Sequence, residues 1–126
     1  MVENATLYAF LAARVSEDDC ADGFILDGFP GSVEQAAFLD AFLSTEGINQ
    51  PRVVYLEISD ETALERMKAR GRADDRRGFG EEDLRQFRQN IGPLLEHYDG
   101  SDLFVVDSSG EWAKTTSDVE EILDRD

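Results

Sequence analysis

Residues Gly23 to Leu39 read GFILDGFPGSVEQAAFL. The run FIL is continuously apolar, as in a strand buried on both faces; a strand with one wet face would alternate. Asp27 ends the run, Gly28 opens a turn, and Ser32 starts a helix with Gln35 three residues on, the spacing of a capping box. The stretch is predicted to run from strand through loop to helix.

Working outward, ENATLYAFLAARV places Leu7, Phe10, Leu11, Arg14 and Val15 at helical spacing, with Asn4 as N-cap. Downstream, RVVYLEI is a second apolar run and LFVVD a third, each predicted to be a buried strand. Between them, Ser59 or Asp60 caps ETALERMKAR and Gly71 ends it. The segment EEDLRQFRQNIGPLLEHY carries Leu84, Phe87, Ile91, Leu94 and Tyr98 on one face, with a bend expected at Gly92-Pro93. SDVEEIL is read as a closing helix. Strands alternating with helices predict one α/β domain over residues 1–126, a three-layer parallel sheet covered by helices on both faces. Ligands of such sheets bind at the carboxyl ends of the strands, which directs attention to Asp27, Ser59 and Asp107.

The formal charge of −16 disfavours nucleic acid and anionic membranes as partners. Cys20 is the lone cysteine, so neither an internal disulfide nor a cysteine metal cluster is expected. No basic, apolar leader and no membrane-length run is read, and a cytoplasmic location is the expectation. Of the 12 Lys and Arg residues, eight fall between Arg66 and Arg88. That cluster suits an anionic ligand, but it equally suits a solvated helix face paired with Glu61, Glu65, Glu81 and Glu82. His97 and Cys20 are read as structural, and Trp112 has no assigned role.

Three ordered blocks, DCADGFILDGFPGSVEQA, ALERMKARGRADD and IGPLLEHY, resemble the adenylate kinases, the nucleoside monophosphate kinases that interconvert ATP plus AMP with two ADP. The resemblance covers nearly the whole chain. It implies a P-loop kinase-like fold, Mg2+ with ATP and AMP as ligands, and a set of site residues. Asp27 would order the water shell of the magnesium; the other reading of Asp27 is a carboxylate capping a turn. Gly28 would let the AMP approach the backbone, or simply serve the turn. Gln35 has an amide able to read adenine, but Ser32 and Gln35 also make a capping box without any ligand. Val2 matches a residue bracketing the adenine of AMP. Arg66 and Arg70, four apart on one helix face, match arginines that clamp the triphosphate, and Arg72 matches one that bridges the phosphates of both nucleotides. Asp74 and Asp75 match the acidic pair that follows.

Four departures accompany the match. No G-x-x-x-x-G-K-[ST] phosphate loop occurs in the 126 residues, and phosphoryl transfer relies on its amides and lysine. Gly31 stands where the family has an arginine holding the AMP phosphate. In an ungapped register from Asp75 to Pro93, the arginine expected at the transferring phosphoryl falls on Asp83. The lid is reduced to almost nothing. Each lost donor costs ~100- to 1,000-fold in rate, so the chain alone is expected to be inactive, acting as a structural, interaction or weak nucleotide-binding unit. The alternative expectation is the C-terminal part of a working kinase, completed by an upstream segment or a partner chain. In the family the P-loop strand lies between the strands matching Phe24–Asp27 and Val53–Ile58. An unfilled gap there would leave backbone groups unpaired. Direct pairing of the two strands, a partner strand or an upstream segment is expected to close it.

Overall fold

The computed structural model describes residues 3–70, 80–100 and 102–125. The chain divides into two compact units, Met1–Gln50 and Pro51–Asp126.

In the first unit, α1 spans Asn4–Val15, a short 3-10 turn Asp18–Cys20, and α2 Val33–Thr45. Ser32 caps α2 as expected, its Oγ accepting from the Gln35 N–H at 3.2 Å. Ala36, Leu39 and Leu43, spaced along one face of α2, are its buried core. Tyr8 of α1 stacks on Phe38 of α2 with ring centres 3.8 Å apart and planes within 2°.

Two local expectations are corrected. The N-cap of α1 is Glu3, with no side-chain cap, and Asn4 is the first helical residue. The Asn4 amide oxygen is engaged elsewhere, accepting from Gln35 Nε2 at 3.1 Å. Phe10, expected on the apolar face, is 72% exposed.

Phe24–Asp27 forms no strand in the structure. Its apolar composition suits a central strand, but a strand exists only as part of a ladder, and no neighbour pairs with it among the described residues. Ile25 is accordingly 79% exposed.

The second unit begins with β1, Val53–Glu57, followed by α3, Asp60–Arg70. Ser59 is the cap of α3: its Oγ accepts from the Thr62 N–H at 3.2 Å. Helix α4 spans Glu81–Tyr98 with Pro93 inside an uninterrupted assignment. Strand β2 is Leu103–Asp107, and α5 is Trp112–Leu123, starting earlier than SDVEEIL alone predicts. The two strands pair in parallel, from Val53 opposite Leu103 to Glu57 opposite Asp107. Leu84, Leu94 and Tyr98 of α4, Val106 of β2 and Ile122 of α5 form the core of this unit. Phe87, predicted for the same α4 face, is left 44% exposed, with the Arg88 guanidinium over its ring at 5.6 Å. Arg52 closes the far end of α5, donating from Nη1 to the carbonyls of Ile122 at 2.6 Å and Arg125 at 2.8 Å. Among the described residues no helix is long and apolar enough to cross a membrane.

Candidate functional site

In the second unit an open cleft of about 500 Å3 lies at the carboxyl ends of β1 and β2, the location that a parallel sheet dictates. Its lining combines the carboxylates of Glu57, Asp60 and Asp107 with Ile58, Ser59, Ser109 and one cation, Arg88. Ser108 ties the strand ends together, its N–H and its Oγ both donating to the Glu57 carbonyl, at 2.8 and 3.0 Å. Asp107 accepts from the Ser109 N–H at 2.9 Å. The backbone and side-chain hydrogen bonds of Ser109 hold the Asp107 carboxyl below the usual carboxylate range.

Arg88 is the functional-site residue that sequence reasoning passed over as one member of a basic cluster. Nε donates to Asp60 at 2.8 Å, Nη1 to the Tyr55 hydroxyl at 3.1 Å, and Nη2 to the Ile58 carbonyl. Burial pulls its pKa down, but hydrogen bonding and charge attraction from Asp60 and Tyr55 outweigh that and leave it raised. Among the described residues the cleft lining presents three carboxylates and one guanidinium.

Of the expected site residues in this unit, Arg66 donates from Nη2 to the Gly110 carbonyl at 3.2 Å, linking α3 to the loop after β2. Arg70 sits in the last turn of α3. The expected cluster resolves partly into ion pairs, Arg85 with Glu82 one turn away at 2.8 Å and Arg88 with Asp60 of α3 at 2.8 Å. Asp83, expected from the sequence to stand where the family has an arginine, accepts from the Gly80 N–H at 3.1 Å and so caps the start of α4. Arg72, Asp74 and Asp75 lie outside the described residues, as does Val2.

The first unit carries the remaining expected residues. Asp27 is exposed. Gly28 has φ +82°, a left-handed conformation that glycine alone adopts without strain. The Gln35 amide is spanned between two partners: Oε1 accepts from the Gly31 N–H at 2.6 Å, and Nε2 donates to Asn4. It therefore steadies both the DGFP loop and α1, a variant of the capping box in which the side chain reaches one residue beyond the cap.

Among the described residues no group of three or more His, Cys, Asp and Glu side chains could hold a metal ion. A magnesium ion arriving with a nucleotide would draw its ligands chiefly from phosphate and water.

The adenylate kinase family model matches residues 1–103. The chain is 41% identical over 101 residues to an adenylate kinase of Corynebacterium glutamicum, the match covering 80% of this chain and 55% of that protein. It is 39% identical over 112 residues to the adenylate kinase of Corynebacterium aurimucosum, covering 89% of this chain and 58% of that protein. With the adenylate kinase of Nocardia farcinica it shares 41% over 99 residues, 79% of this chain and 54% of that one. Helices alternating with parallel strands define an α/β protein. Within that class, the chain belongs to the adenylate kinase family. It spans about half the length of the curated relatives it matches.

Proposed function

We propose that these 126 residues are an adenylate kinase-like module that does not transfer phosphate by itself. It serves as a structural or interaction unit, with weak binding of adenine nucleotides, in a larger cytoplasmic assembly. The carrying observation is Asp83: where a transferring phosphoryl needs a positive charge, a carboxylate is used to cap α4. The cleft supports the same reading, because the one arginine lining it among the described residues is bonded to Asp60, Tyr55 and Ile58. No phosphate loop in the sequence supplies the lost donors.

In this reading residues 1–126 make one truncated domain, a three-layer sheet lacking its central strand. Tyr55 meets α4 and Phe104 meets Arg125 beyond α5, from neighbouring register positions whose side chains leave opposite faces of the sheet. The central strand comes from an upstream segment or a partner chain. Gly28 and Gln35, with Val2, mark the AMP side. Arg66 and Arg70 mark the ATP-phosphate side, and Asp27 and Arg72 are vestiges of the catalytic set. Isothermal calorimetry with AMP and ADP tests the module. Heats fitting millimolar affinity are expected, and micromolar affinity contradicts the loss of the site.

The second reading is the C-terminal part of a working adenylate kinase using Mg2+ with ATP and AMP. It is favoured by the extent of the match, 41% identity over 101 residues, with the family model spanning residues 1–103, the range that holds Asp27, Gln35, Arg66 and Arg70. Turnover after addition of a segment bearing a phosphate loop decides for it.

A further inference from the structure

The N-terminal ends of α1 and α2 and the DGFP loop, all within the first unit, meet around the Gln35 side-chain amide. Oε1 accepts from the Gly31 N–H at 2.6 Å, and Nε2 donates to Asn4 Oδ1 at 3.1 Å. One helical turn on, Tyr8 stacks on Phe38 with ring centres 3.8 Å apart. Asn4 and Tyr8 are four residues apart and Gln35 and Phe38 three, so the polar contact lies beside the aromatic one on facing helix surfaces. Phe29 of the loop meets Tyr8 edge-on, its ring centre 6.4 Å away. A group that cannot reverse sets the sense of the amide. A backbone N–H only donates, so Oε1 belongs on the Gly31 side and Nε2 on the Asn4 side. In the reverse sense Nε2 would face the Gly31 N–H, donor against donor. A primary amide has two acceptor lone pairs and two N–H groups, and the two bonds use one of each. One acceptor and one donor remain side by side, on a side chain that is only half-buried.

We infer that Asn4 is a positioning residue for base selection: by holding Nε2 it keeps the Gln35 amide in the one sense that fits adenine and rejects guanine. The inference rests on the reading above that Gln35 marks the AMP side, and adds to it the residue that sets the preference. Adenine presents its N6 amino donor beside a ring-nitrogen acceptor, the complement of the remaining Oε1 lone pair and Nε2–H. Guanine presents the O6 carbonyl where adenine has its amino group, so Oε1 would face another acceptor. An amide anchored at Oε1 alone pivots off Gly31 and can offer Nε2 to O6. Anchored at both atoms, with Asn4 held in place by the Tyr8–Phe38 stack one turn away, it stays in the sense observed.

The test is an NMR titration of the full, isotope-labelled chain with AMP and, separately, with GMP at millimolar concentrations. The parent is expected to bind AMP about tenfold more tightly than GMP, the worth of one hydrogen bond made against one denied. Asn4→Ala is expected to bring the two affinities within about threefold of each other. Asn4→Asp, whose carboxylate can only accept from Nε2, is expected to keep the preference of the parent. The two nucleotides carry the same phosphate, so the added charge of that variant cancels in the ratio. Asn4→Ser, also too short to reach Gln35, repeats the test, and circular dichroism checks the fold of each variant. A preference for AMP that survives both Asn4→Ala and Asn4→Ser overturns the inference, as does its loss in Asn4→Asp or equal binding of AMP and GMP by the parent. In those cases AMP still binds and the reading of Gln35 as the AMP side stands. Binding of neither nucleotide by the parent overturns both, so the two failures are told apart.

Discussion

The Asp83 carboxylate accepts a hydrogen bond from the Gly80 N–H at 3.1 Å, closing the first turn of α4. An acid in that turn also complements the positive end of the helix. The position thus works for folding in a way that an arginine would oppose. Asp83→Arg is expected to cost about 1 kcal/mol of stability and to leave ADP formation at background, because one restored donor does not replace a phosphate cradle. Urea melts and a coupled ADP assay read the two effects. Measurable turnover in this variant would make the missing charge, and not the missing loop, the limiting loss.

The DGFP loop offers a gain-of-binding test. A Cβ at Gly31 would meet Gln35 Oε1 at 3.4 Å and the Gly28 carbonyl at 3.9 Å, both ordinary contacts. Gly31→Arg is therefore expected to fold with stability within ~0.5 kcal/mol of the parent. If the AMP side persists as proposed, the new charge-assisted bond tightens AMP about tenfold. Unchanged calorimetric affinity in the folded variant would remove AMP from the account.

Arg88 is expected to matter more for folding than any other cation of the basic cluster. Arg88→Ala leaves the Asp60 carboxylate, the Tyr55 hydroxyl and the Ile58 carbonyl short of a donor and is expected to cost about 2–3 kcal/mol. Arg88→Lys should recover only part of this, since an ammonium cannot reproduce three fixed directions. Urea denaturation followed by tyrosine fluorescence measures both; equal stability of parent and Arg88→Ala would contradict the three-way anchor.

Arg14 donates to both carboxylate oxygens of Asp19, at 2.8 and 2.9 Å. The Arg14 hydrogen bond lowers the Asp19 pKa, so its small stabilising effect is present above the ordinary aspartate range and fades as pH falls through the lowered value. In an NMR titration of the carboxyl carbons, Asp19 is expected to titrate below the ordinary aspartate range, and Arg14→Gln to raise it back toward that range. An Asp19 curve indifferent to Arg14→Gln would rule the pair out in solution.

Where local chemistry decides, the sequence is readable. Ser32 and Ser59 cap the helices they precede, and VVYLE and LFVVD form paired strands, although Leu56 and Val105 are exposed and the runs are not buried on both faces as expected. Where a distant partner decides, it is not. Phe24–Asp27 has a strand's composition but no neighbour to supply its ladder. Asn4 reads as a cap, yet its side chain is claimed by Gln35, 31 residues on. The roles of Arg88 depend on Tyr55 and Ile58, brought to it by the packing of α4 on β1, a relation no spacing within the basic cluster reveals. At Gln35 neither of two open readings prevails: it joins in capping and also braces the loop proposed to hold AMP.

The most direct measurement is ADP formation from ATP, AMP and Mg2+ by the purified 126-residue chain with no added segment. The expected rate is indistinguishable from the uncatalysed control at every enzyme concentration. Turnover in the ordinary enzymatic range, on the order of 1 to 1,000 per second, would show that the residues described here move phosphate unaided and would contradict the account at its centre.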